Sequence, residues 1–154
     1  MIGLSRRKAI AAAIIITSMV AASAGLTQPV DDYVRTAGGL TVYLGVIPAE
    51  IVKGHQTMHG GAARGPHEYH IVAAIFDAAS AARISDATVT AKVSGLGLSG
   101  SEQALEPMSI ANTITFGGFF NLPGPDLYTI RVAVRRPGSQ QPAVFDFKYD
   151  HRRQ

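Results

Sequence analysis

From Tyr128 onward the chain alternates apolar and polar residues with a period of two. Tyr128, Ile130, Val132 and Val134 are interleaved with Thr129, Arg131, Ala133 and Arg135. Phe145, Phe147 and Tyr149 are interleaved with Val144, Asp146 and Lys148 in the same way. Such alternation presents one apolar face, as a half-buried strand does and a helix does not. The pattern recurs upstream at Leu40, Val42, Leu44 and Val46, which Pro48 ends, and at Val89, Ala91 and Val93. Glu68 to Asp77 is a mostly apolar run suited to a central strand. Ile110, Ile114 and Phe116 share the parity of one further strand. Gly- and Pro-rich breaks, such as Pro123-Gly124-Pro125 and Arg136-Pro137-Gly138, separate these runs. No helical period follows residue 24. The reading is an all-β fold: an antiparallel, immunoglobulin-like β-sandwich of six to seven strands over residues 40–150.

The 154-residue chain contains no cysteine. The sandwich must therefore close by apolar burial alone, and thiolate metal sites, cysteine nucleophiles and a lipid-anchored cysteine are excluded. A domain of about 110 residues is large enough to do this.

The N-terminus has a different character. Arg6, Arg7 and Lys8 precede an apolar run from Ala9 to Val20, and Ala22-Ser23-Ala24 supplies an A-x-A site. This is the layout of a secretory signal peptide over residues 1–24, which implies a periplasmic or secreted protein. An uncleaved membrane anchor is the minor alternative. Ser5-Arg6-Arg7 leaves both general and twin-arginine export open. Residues 25–39 form a lead-in and 151–154 a tail. The whole chain carries a formal charge of +3, but residues 25–154 hold eleven basic and eleven acidic residues. The excess charge belongs to the signal, so basicity offers no support for nucleic-acid binding.

A family resemblance rests on Phe76-Asp77, the step Ile84-Ser85-Asp86-Ala87-Thr88-Val89 and the late strand Tyr128-Thr129-Ile130-Arg131-Val132. Over about residues 67–149 this resembles the YtkA-like and FixH-like exported immunoglobulin-like domains. Asp126-Leu127 stands where their pattern has Gly before the tyrosine. The resemblance implies a context of copper handling or respiratory-oxidase assembly.

Chemistry-bearing residues crowd into one region. His55, Met58, His59, His67 and His70 fall within 16 residues, and only His151 among the five histidines lies outside. Imidazole with thioether favours copper, and zinc is the second choice. Met108, after Pro107, is a further candidate ligand. The expected metal set is His55, Met58, His59, His67, His70 and Met108, with binding weakened as the imidazoles protonate. His67 and His70 have odd spacing, so they share a metal only if His67 belongs to the preceding loop or a bulge intervenes. The bland alternative is a packed His70, a core Met108 and solvated loop histidines.

Other motifs fail on context. Gly95 to Gly100 fits G-x-G-x-x-G but lacks the following helix of a dinucleotide site, so it reads as a hairpin. His67-Glu68-Tyr69-His70 is one residue short of H-E-x-x-H and lies on a strand. No nucleophile elbow or carboxylate pair is visible, and no catalytic residue is assigned. Phe116, Phe119 and Phe120 either turn into the core or form a patch for a protein partner. Two functions follow. The first is an exported, non-enzymatic sandwich that binds copper through a His/Met-rich loop, in metal handling or support of a metalloenzyme. The second is a metal-free envelope interaction or accessory module.

Overall fold

A computed structural model describes residues 32–51 and 65–153. It contains nine strands: β1 (Val34–Ala37), β2 (Leu40–Pro48), β3 (Glu68–Asp77), β4 (Thr88–Ser94), β5 (Glu102–Ala104), β6 (Glu106–Ile110), β7 (Thr113–Asn121), β8 (Leu127–Arg135) and β9 (Ala143–Asp150). A 3-10 turn, His151–Arg153, follows. All strand pairings are antiparallel. They form a five-stranded sheet in the order β1-β2-β3-β7-β6 and a four-stranded sheet in the order β5-β4-β8-β9. Among the described residues no helix is long and apolar enough to cross a membrane.

The alternation read in the sequence is the alternation that builds the core. Leu40, Val42 and Leu44 of β2, Tyr69, Ile71, Ala73 and Ile75 of β3, and Phe116 and Phe120 of β7 face inward from the larger sheet. Val89, Ala91 and Val93 meet them from β4, Ile130, Val132 and Val134 from β8, and Phe145, Phe147 and Tyr149 from β9. Each fully buried side chain of this size stabilises the fold by about 1.5–3 kcal/mol relative to exposure, which stands in for disulfides. On one side the chain passes from sheet to sheet at Leu105, which is buried between β5 and β6 and whose N–H donates to the Val89 carbonyl at 2.9 Å. On the other side β1 lies against β9.

The strand count exceeds the expected six to seven: β5 is a three-residue strand too short to show a period, and two other additions have separate causes. Residues 34–37 of the lead-in pair with β2 as a short edge strand in which only Val34 is a large aliphatic. Ile110 does not share a strand with Ile114 and Phe116. A hairpin separates them, closed by Ala111 (φ 49°) and Asn112 (φ 62°) between the partners Ile110 and Thr113. Two consecutive positive φ values make this a primed two-residue turn, whose twist matches the strands it joins. The Gly95–Gly100 segment is the β4–β5 hairpin loop. A Cβ on Gly100 would overlap the Val93 carbonyl oxygen, so only glycine fits there.

The β3–β4 turn is organised by Asp77. Its Oδ1 accepts from the Ser80 Oγ (2.9 Å), the Ser80 N–H (3.0 Å) and the Ala79 N–H (3.2 Å), and Arg136 reaches Oδ2 at 3.3 Å. The Ser80 bonds, more than Arg136, hold this carboxyl below its ordinary value.

Two predictions follow from the turns. Ala111→Gly removes the Cβ penalty of a left-handed residue and raises stability by about 1 kcal/mol, read from urea unfolding. A carboxyl depressed in the folded state stabilises the fold above its unfolded pKa and loses that effect as pH falls. Asp77→Asn therefore lowers the melting temperature at pH 7, and the gap to the native chain narrows below about pH 4. A gap that stays constant across that range contradicts the assignment.

Candidate metal centre

His70 lies in β3 between Tyr69 and Ile71, both of which point into the core. By the strand period it faces the opposite way, onto the outer face of the five-stranded sheet. It is nevertheless only 2% exposed. Its register partner on β7 is Phe119, and the two rings stack with centroids 4.7 Å apart at 28°. Phe119, Gly117 and Thr115 share this outer face, because Phe116 and Phe120 on the other parity enter the core. Met108 pairs with Thr115 from β6. It is buried, yet it does not belong to the sandwich core cluster.

Gly117 is where the two residues meet. A Cβ built on it would stand 2.7 Å from His70 Nε2 and 2.8 Å from Met108 Sδ. An imidazole nitrogen and a thioether sulfur therefore converge over one bare stretch of backbone, and any side chain at 117 would occupy their place. The chemistry of the pair, borderline nitrogen with soft sulfur, fits copper better than a hard cation.

The other expected ligands are distributed differently. His67 precedes β3 and is exposed, so it belongs to the loop, one of the two arrangements that sharing a metal with His70 would need. His55, Met58 and His59 lie outside the described residues. Among the described residues no group of three or more His, Asp or Glu could hold a metal by itself. The ends of the connection that carries these residues are anchored beside His70. Ile47 pairs with His70 and Pro48 with Tyr69, and the Ala49 N–H donates to the Glu68 carbonyl at 2.9 Å.

The expected aromatic partner patch is not present as a unit. Phe116 and Phe120 are 2% and 6% exposed and serve the core, while Phe119 lies against His70.

One polar cluster had no signal in the sequence. His151, expected to be part of a solvated tail, is half-buried at the end of the sandwich. It lies 2.6 Å from the Tyr69 hydroxyl through Nε2 and 2.7 Å from the Gly124 carbonyl through Nδ1. The carbonyl can only accept, so in the neutral ring Nδ1 carries the hydrogen and Nε2 accepts from Tyr69. Tyr128 donates to the Pro123 and Gly124 carbonyls at 3.1 and 3.2 Å, a contact like the tyrosine corner of immunoglobulin-type sandwiches. Burial first, then Asp126, raises the pKa of its hydroxyl. The β7–β8 loop and the C-terminal turn are thereby tied to β3 one residue away from His70.

No protein-family model and no curated protein matches the chain. Solved structures do. A copper-bound variant of FetP from uropathogenic Escherichia coli strain F11 superposes with a TM-score of 0.60 at 13% identity, covering 76% of this chain and 92% of that one. A DUF4426 family protein from Pseudomonas aeruginosa PAO1 gives 0.60 at 18% identity, over 76% and 91%. Copper-reconstituted P19 protein from Campylobacter jejuni gives 0.59 at 11%, over 76% and 91%. FetP has also been crystallised after recombinant expression in the periplasm. At these identities the likeness establishes the fold, a β-sandwich shared with copper-binding proteins. None of these structures carries the YtkA-like or FixH-like name, so that resemblance is not directly shown.

Proposed function

We propose that this protein is an exported, non-enzymatic β-sandwich that binds copper on the outer face of its five-stranded sheet, with His70 and Met108 as ligands. The observation that carries the reading is the convergence of His70 Nε2 and Met108 Sδ over Gly117. A buried thioether on the outer face of a sheet contributes nothing to the sandwich core, whereas it is a suitable ligand for Cu(I). The copper in the FetP and P19 structures supports the choice of metal. The signal-like N-terminus supports a periplasmic role in metal handling or in supply to a metalloenzyme. An oxidising compartment favours a cysteine-free site, because imidazole and thioether cannot be lost to disulfide formation.

His55, Met58, His59 and His67 are the candidates for the remaining ligands. The bound copper supplies a redox-active or transferable ion. The chain holds it by donor softness and by excluding a side chain at position 117.

The test is copper titration of the purified protein, with Cu(I) competition by a chromophoric chelator. Met108→Leu keeps the volume and removes the sulfur. The expected result is unchanged melting with Cu(I) affinity lowered by at least about tenfold, since loss of a ligand costs no less than loss of its supporting contacts. His59→Ala and His67→Ala weaken binding in folded protein. Native protein that takes up no copper at micromolar metal, or a Met108→Leu variant that binds as the native chain does, overturns the reading.

Gly117→Ala tests the convergence without removing a donor. It is expected to destabilise the protein by about 1–3 kcal/mol through overpacking, and to abolish copper uptake. Met108→Ala opens the space on the sulfur side, so it costs less stability in the Gly117→Ala background than in the native chain. Purely additive effects of the two substitutions on urea unfolding contradict the contact.

A further inference from the structure

At the other end of the same outer face, beside the β3–β4 turn, is a groove of about 520 Å³. Roughly 300–1,000 Å³ is usual for a small-molecule site. Its walls include Tyr43, Ala74, Phe76, Ala78, Ala81 and Arg83. We propose that this groove binds a small organic anion, a carboxylate on an aromatic or similarly flat apolar body, with Arg83 as the anion receptor.

Four observations converge on that chemistry. The first is the apolar surface. Tyr43 and Phe76 meet edge to face with centroids 5.4 Å apart, and Tyr43 is 48% exposed. A solvent-facing tyrosine packed against a second ring offers a surface for a flat apolar group.

The second is the cation. The Arg83 guanidinium lies 4.6 Å from the centre of the Phe76 ring. One of its nitrogens donates to the Ile114 carbonyl at 2.9 Å, which fixes its position and uses one of five N–H donors. A guanidinium held this way over an aromatic face is pre-organised to take a carboxylate through two parallel hydrogen bonds.

The third is the sign of the charge. The carboxylate in the groove, Asp77, is already engaged. Its Oδ1 accepts three hydrogen bonds within the turn, and its Oδ2 faces Arg136. With Asp77 drawn into its own turn, Arg83 is the charged group of the lining that still has N–H donors to offer, and these donors select an anion over a cation.

The fourth is strain. Ala81, which lines the groove, has φ of 57° without being glycine. Its N–H is held by the Asp77 carbonyl at 2.9 Å, and the Asp77 N–H by the Ala82 carbonyl at 2.8 Å. A strained residue fixed by surrounding bonds is a device that recurs where a ligand is clamped. Here it sets the wall of the groove beside the cation.

The proposal is independent of copper, so it is tested on copper-free protein. Benzoate is titrated into isotopically labelled protein and followed by two-dimensional amide NMR, with benzylamine and benzyl alcohol as isosteric controls. The expected result is saturable shifts confined to residues around Tyr43, Phe76 and Arg83, with benzoate bound about tenfold more tightly than either control. Arg83→Gln abolishes the preference for benzoate. Tyr43→Ser, at an exposed position that leaves the fold intact, weakens benzoate and benzyl alcohol alike. Absence of saturable shifts overturns the proposal. So does equal binding of benzylamine or benzyl alcohol, or a benzoate preference that survives Arg83→Gln in folded protein.

Discussion

In the five-stranded sheet, only one face is committed to the core. Leu40, Val42, Leu44, Ile71, Ala73, Ile75, Phe116 and Phe120 all occupy that face, and they close the sandwich against the smaller sheet without a disulfide. The opposite parity of the same strands is thereby released from packing duty. It carries His70, Met108, Phe119 and Gly117 at one end and Tyr43 and Phe76 at the other, where the guanidinium of Arg83 from the β3–β4 connection lies over Phe76. A strand cannot shift by one residue without exchanging these two sets, so the apolar core also fixes the register that presents the polar groups. The face that carries both proposed sites is held in place by the stability of the face behind it.

Most of this register was legible from period-two alternation, because inner-face residues of β2, β4, β8 and β9 are aliphatic or aromatic and their neighbours are polar. The β6–β7 hairpin was not. Ile110, Ile114 and Phe116 share a parity, and the turn between them is Ala111-Asn112, without the glycine or proline that marks a break. β1 escaped because an edge strand covered by a single aliphatic has no period to read. His70 and Met108 were both visible as donors, but their meeting was not. It depends on β7 lying between β3 and β6, and on residue 117 being glycine where their side chains converge. No spacing within one segment encodes a contact made across three strands. His151 was opaque for a similar reason: a histidine near a basic chain end reads as solvated until Tyr69 and Gly124 are found beside it.

The value of an absent side chain supports the proposed role of the pair as ligands of a soft metal. Buried imidazole carries a desolvation cost that ordinary cores avoid by using an aliphatic residue. A methionine is commonly a flexible filler of irregular space. Here the space around both is made by a glycine in the interior of a strand, where glycine costs backbone entropy and contributes no packing. Two choices that work against stability, a buried imidazole and a strand glycine, coincide with a soft thioether at one point of the sheet. Local departures from the pattern of burial concentrate at functional sites, which supports the proposed copper site. The stacking of Phe119 on His70 adds direction to this, since it fixes the plane of the imidazole and therefore the line along which Nε2 offers its lone pair when that nitrogen is unprotonated.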